Sequence, residues 1–174
     1  TFGTGTNQVN VIDYKKMNNN INNNLQPAKA PSGDLGAELR ILSPTAILGY
    51  GFPMESFVEG MKRQPHIIAV DAGSTDPGPY YLGAGKSFTD RNSVKRDLEI
   101  MIPAALEAGI PVVVGTAGGS GARPHVNLTV DIVKEIAHEK QLSFKMAVIQ
   151  SEFEKDFVKE NIRKGNISPL FPAP

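Results

Sequence analysis

Beyond residue 37 the chain alternates between two hydrophobic rhythms. Short apolar runs occupy residues 39–42 (Leu-Arg-Ile-Leu), 66–71 (His-Ile-Ile-Ala-Val-Asp), 110–115 (Ile-Pro-Val-Val-Val-Gly) and 144–149 (Phe-Lys-Met-Ala-Val-Ile). Such runs predict strands buried on both faces. Between them apolar residues recur at helical spacing. Met54, Phe57, Val58 and Met61 form one stripe behind Pro53. Val94, Leu98, Met101 and Ala105 form a second, which Gly109 should stop and Pro103 should kink or divide. Val126, Val130, Val133 and Ala137 form a third. A fourth helix is expected to open on a capping box at residues 151–154 (Ser-Glu-Phe-Glu), with Ser151 as cap, and to end at Gly165.

Four strand–helix alternations predict an α/β fold: a doubly wound, Rossmann-like parallel sheet with helices on both faces. The order 2-1-3-4 of these four strands, with the first and third as central neighbours, is the expected one. It would bring the connections at residues 43–53 and 115–125 together at a switch point, where open parallel sheets bind ligands.

The first 36 residues obey neither rhythm. Asn7, Asn10, Asn18, Asn19, Asn20, Asn22, Asn23 and Asn24 crowd them, and asparagine resists helix interiors. They are read as an arm without a core of its own, in which Val9, Val11, Ile12 and Tyr14 can add a short strand. Residues 37–166 then form the α/β domain. Residues 167–174, with Pro169, Pro172 and Pro174, form an extended tail suited to link a partner domain.

Charge and composition narrow the function classes. Eighteen basic residues balance eighteen acidic ones, which argues against a general nucleic-acid binder. No cysteine is present, so disulfides, zinc-thiolate sites and thiol nucleophiles drop out. No apolar run approaches the ~20 residues of a membrane span, and the first 30 residues lack a signal-peptide core. A cytoplasmic location without a membrane partner is expected. The three histidines, His66, His125 and His138, are too scattered to suggest a metal site, and no cofactor is legible.

The unusual residues gather in the connections that leave the strands' carboxyl ends. Residues 71–88 form a long loop with four glycines and two prolines, a composition that argues for a specific path. Asp71 ends a strand there and can act as general base, metal ligand or hydroxyl acceptor, or can simply bond the turn through Ser74 or Thr75. Asp76 and Lys86 lie in the same loop. Residues 115–125 place Gly118, Gly119, Ser120 and Arg123 between a strand and a helix start. That arrangement suits anion binding by backbone N–H groups and a guanidinium; a tight turn with a solvated Arg is the plainer reading. His125, beside this loop, can move a proton near neutral pH or cap the helix. Tyr50, between Gly49 and Gly51, adds a ligand contact or a turn.

Several of these segments resemble a known family. Residues 49–52 (Gly-Tyr-Gly-Phe), a strand ending in Asp71, Gly118-Gly119 after a valine run, and Lys145-Met146-Ala147-Val148-Ile149 leading into an acidic helix are similar to the N-terminal region of the acyclic terpene utilisation (AtuA-like) family. The resemblance covers about residues 38–170 and implies catabolism of branched or acyl substrates by much longer relatives.

The expectation is therefore a catabolic enzyme or enzyme subunit holding a small anionic ligand, a carboxylate or acyl-CoA, at the sheet's carboxyl edge. Gly118, Gly119, Ser120 and Arg123 would hold the anion, with Tyr50 beside it. Asp71, Ser74, Thr75 and Asp76 would face the reacting part, and His125 or Lys86 would supply a proton, as in lyase, hydratase or hydrolase chemistry. A homo-oligomer, or a second chain or domain, is the expected partner. The rival reading is a non-catalytic binding or assembly subunit. A minor one is a nucleotide-dependent phosphotransferase, since residues 70–75 are similar to the phosphate loop of sugar kinases.

Overall fold

The computed structural model describes residues 9–13, 38–74 and 77–168. The apolar runs become strands, as their β-branched content demands. The elements are β1 (Val9–Asp13), β2 (Ile41–Leu42), α1 (Met54–Lys62), β3 (Ile67–Asp71), α2 (Gly78–Ala84), α3 (Arg91–Ala108), β4 (Val112–Gly115), α4 (Arg123–Glu139), β5 (Lys145–Ile149) and α5 (Lys155–Arg163). A single 3₁₀ turn, Ala117–Gly119, sits between β4 and α4. The long loop after Asp71 is thus interrupted by a seven-residue helix, α2.

The strands form a mixed α/β arrangement around a three-stranded parallel sheet in the order β2-β3-β4. This corrects the expected strand order: β3 lies between β2 and β4, so the first and third parallel strands are not neighbours. β5 pairs instead with β1, antiparallel, with Val9 opposite Ile149 and Asp13 opposite Lys145. The short strand foreseen in the arm therefore exists. The rest of the arm and residues 169–174 of the tail lie outside the described residues.

Sequential strand order decides where the helices go. A right-handed crossover carries each helix to the same side when the strands advance in one direction. Phe57 of α1, Leu98 and Met101 of α3 and Ile132 and Ile136 of α4 accordingly share one core with Ile68 and Val70 of β3. Leu42, Val112 and Val114 pack against it from the same sheet face. The opposite face carries Ile41 and Val113, both about half exposed, so helices on both faces are not found among the described residues. Continuous apolar runs are the mark of strands covered on both faces, which is why the pattern suggested the double layer.

Local chemistry explains both ends of α3. Asp90 caps α3 by accepting from the N–H groups of Asn92 and Ser93. Gly109 stops it at φ 67°, a left-handed cap. Pro103 leaves α3 as one continuous 18-residue helix rather than two. The capping box expected at residue 151 does not form. α5 starts four residues later behind Glu154, which makes no side-chain cap, and the Ser151 hydroxyl donates to the Gly121 carbonyl 3.3 Å away.

Across α3 and α4 runs an ionic network. Glu135 accepts from Arg91 and from Lys95 Nζ, the latter at 2.6 Å, and Lys95 also reaches Glu139 at 2.7 Å. Hydrogen bonds from Arg91 and then Lys95 hold the Glu135 carboxyl down at about 2, from 4.5. Its bonds to Glu135 and Glu139 push Lys95 up to about 12, from 10.5. A depressed carboxylate stabilises the fold above its unfolded value, so this contribution fades as pH falls from 4.5 toward 2. The raised lysine contributes below 10.5, a contribution that fades as pH climbs through about 12. Glu135→Gln should therefore lower Tm at pH 7 and flatten the loss of Tm between pH 4.5 and 2 in scanning calorimetry. Parallel acid limbs in the two proteins would show that the network does not couple to folding.

Candidate functional site

Three connections meet at the carboxyl end of the parallel sheet, and each is shaped by backbone geometry. In the first, residues 43–53, Gly49 and Gly51 adopt φ 100° and 79°. Both direct their N–H groups onto one carboxylate: Asp97 Oδ2 lies 2.7 Å from Gly49 N and 3.1 Å from Gly51 N. Asp97 is fully buried, and its other oxygen accepts from Arg96 Nε and Nη2 at 3.0 and 2.9 Å. This clamp lifts Tyr50 to the surface, 62% exposed, with its ring 6.1 Å from Phe88. Phe88 in turn meets Tyr81 edge-on at 5.4 Å. The sequence reading missed Asp97. The available signal was a carboxylate three residues after Val94 and four before Met101, on the apolar stripe itself.

The second connection begins at Asp71. Its side chain is exposed at the end of the central strand, and Oδ1 accepts from Gly73 N at 3.0 Å. The turn bond is thus made to Gly73. Ser74 is half-buried; Thr75 and Asp76 lie outside the described residues. The chain then enters α2 rather than a second strand, unlike the hairpin of a kinase phosphate loop. Lys86 is exposed beyond α2.

The third connection follows β4, whose Gly115 is in register with Asp71. Thr116 comes next, at φ 47°. A β-branched residue in the left-handed region is strained, and such strain concentrates at functional edges. The glycines after it are not an open cradle. Gly118 and Gly119 are buried; a Cβ on Gly118 would stand 2.3 Å from the His125 carbonyl oxygen, and one on Gly119 2.9 Å from Phe88. The Gly119 N–H donates to Thr116 O at 2.8 Å and the Gly121 N–H to Ala117 O at 3.2 Å. Ser120 Oγ reaches Gly78 O at 3.5 Å, tying this loop to α2.

The start of α4 already meets a carboxylate. Glu152 Oε1 accepts from the Arg123 N–H at 2.7 Å, and Oε2 lies 3.4 Å from Arg123 Nε. A side chain from the β5–α5 connection thus occupies the place assigned to an anionic ligand. The Arg123 side chain is 65% exposed. His125 is 1% exposed, and its Nε2 lies 2.9 Å from Lys86 O and 3.1 Å from Tyr81 O. Two carbonyl acceptors put the proton on Nε2, so the ring braces α2 against α4 rather than capping the helix. Its Nδ1 is buried without a partner among the described residues, as are Ser87 Oγ and Gln150 Oε1. Ser87 lies in the connection after β3, His125 in the first turn of α4 and Gln150 directly after β5.

The structure therefore gathers Tyr50, Asp71, Ser74, Lys86, Ser120 and Arg123 along one edge, with Gly118, Gly119 and His125 packed beneath. His66 lies at the opposite end, beside Arg40, and His138 is exposed near the end of α4. Among the described residues no cluster of three metal-ligating side chains stands close enough to hold an ion, and no helix is long and apolar enough to cross a membrane. Compared with family models, curated proteins and solved structures, the chain finds no match.

Proposed function

We propose that this chain binds a small carboxylate or acyl thioester across the carboxyl edge of its parallel sheet, as a cytoplasmic catabolic enzyme or as one subunit of it. The observation that carries the reading is the strained Thr116 at the end of β4, beside the exposed Asp71 carboxylate at the end of β3. Strain of this kind persists where the surroundings impose it, and Thr116 directly follows Gly115, the register partner of Asp71. Three buried polar atoms without a partner among the described residues support it, since such groups commonly meet a ligand or water. The resemblance to the AtuA-like family supports the acyl class of ligand.

In this reading Arg123 holds the anion, Tyr50 and Phe88 cover its apolar part, and Asp71 faces the reacting centre with Lys86 supplying an ammonium. A second helical layer, completing a doubly wound fold, would cover Ile41 and Val113. Glu152 acts as an internal competitor for Arg123. Glu152→Ala should then tighten binding of 3-methylbutyrate by a few-fold, the scale of an exposed ion pair of about 0.2–1 kcal/mol. Arg123→Ala should weaken it by a similar factor, and the neutral amide of the same acid should respond to neither. Calorimetry with the acid and with its coenzyme A thioester checks this. Equal affinities across wild type and both variants would remove Arg123 from the site. Asp71→Ala separates the enzyme from a binding or assembly subunit: lost turnover with retained binding supports the former, lost assembly the latter.

A further inference from the structure

A strand in a sheet directs alternate peptide groups to its two sides. The bonds from Ile68 N–H to Pro111 O and from Ala72 N–H to Gly115 O, both 3.0 Å, fix that alternation in β4. With Val70 in register with Val114, the odd-numbered residues of β4 turn their peptide groups toward β3. Val112 and Val114 turn theirs the other way, where no described residue meets them. β5 is bonded along one edge to β1 and likewise presents alternate peptide groups on its other edge. Between the two edges lies a cavity of about 740 Å³, lined by β4 and β5 and floored by Ile102 of α3 and Val133 of α4.

Peptide groups left unpaired beside an apolar floor are costly, and two such edges facing one another are complementary to an extended chain. We propose that the slot between β4 and β5 is a strand-acceptor site, filled by an extended polypeptide segment that bonds to Val112 and Val114 on one side and to β5 on the other. The inserted strand would be continuous with both existing ladders and would join them into one six-stranded sheet. The segment carries apolar, preferably β-branched residues at the alternate positions above α3 and α4, and no proline. Lys145 is the one charged residue lining the slot and is exposed, so an acidic residue belongs at that end of the segment. This inference does not depend on the small-ligand reading.

The probe is a set of blocked eight-residue peptides that alternate valine with threonine and carry one glutamate at either end. Binding is followed by calorimetry and by hydrogen exchange at the Val112 and Val114 amides. At least one peptide should bind at micromolar to sub-millimolar concentration and slow exchange at both amides at least tenfold. N-methylating its odd-numbered or its even-numbered residues should each weaken binding at least tenfold, because an inserted strand bonds on both edges. Loss with only one methylated set would show addition to a single edge and overturn the proposal. Binding unaffected by methylation would show a plain apolar cavity, and no binding by any peptide at millimolar concentration would show a closed slot; both overturn it as well.

Discussion

Asp97→Ala should be the most destabilising single change at the sheet's carboxyl edge. It removes the buried acceptor of two glycine N–H groups and of the Arg96 guanidinium at once. Arg96 is half exposed and can turn to water, so the cost lies in the two orphaned N–H groups, about 1–3 kcal/mol each, which for a chain of this size lowers Tm by on the order of 10 °C. Asp97→Asn keeps the shape and one acceptor oxygen, and should cost about 1–3 kcal/mol. Denaturant unfolding separates the two. In both variants Tyr50 should lose its fixed approach to Phe88, visible as altered aromatic circular dichroism. A cost for Asp97→Ala within the range of surface substitutions would mean that the Gly49–Gly51 turn stands without its clamp.

Gly118→Ala is the second large effect, and Gly85→Ala is its matched control. The two glycines share nearly the same backbone, φ 71° and 63°. They differ in the space around them: a Cβ on Gly118 meets the His125 backbone at 2.3 Å, whereas one on Gly85 meets nothing within 4 Å. Both substitutions carry the left-handed penalty of about 1–2 kcal/mol. Only Gly118→Ala must also separate the 3₁₀ turn from α4, an overpacking cost of about 1–3 kcal/mol in addition. Urea unfolding should therefore rank Gly118→Ala clearly below Gly85→Ala. Equal stabilities would mean that the contact between loop and α4 yields freely. The same geometry makes a Gly119 substitution report on packing against Phe88 rather than on a ligand cradle.

The strands were legible because Val112–Gly115 and Ile67–Asp71 are dense in β-branched residues. Their order was not, because any order of buried parallel strands carries the same apolar pattern, and what distinguishes β2-β3-β4 from the expected order is pairing between distant residues. The edge location of the candidate residues followed from strand–helix alternation alone. Their individual roles did not follow. His125 and Arg123 look equally available on paper, yet one is enclosed by two carbonyls from a segment some forty residues away and the other meets Glu152 across 29 residues. Asp97 was hidden for the opposite reason: a helix stripe is read by its apolar members, and a buried carboxylate on it registers as noise until its two N–H partners are seen.

The central claim, a small acyl or carboxylate ligand at the sheet's carboxyl edge, is tested most directly by mapping amide chemical shifts while 3-methylbutyrate or its coenzyme A thioester is added to the labelled protein. Saturable shifts should concentrate at Gly73, Ser74, Thr116, Ser120, Gly121 and Arg123, with His66 and Ile110 at the opposite end unmoved. Saturable shifts confined to that opposite end, or none at any residue up to millimolar ligand, would contradict the account.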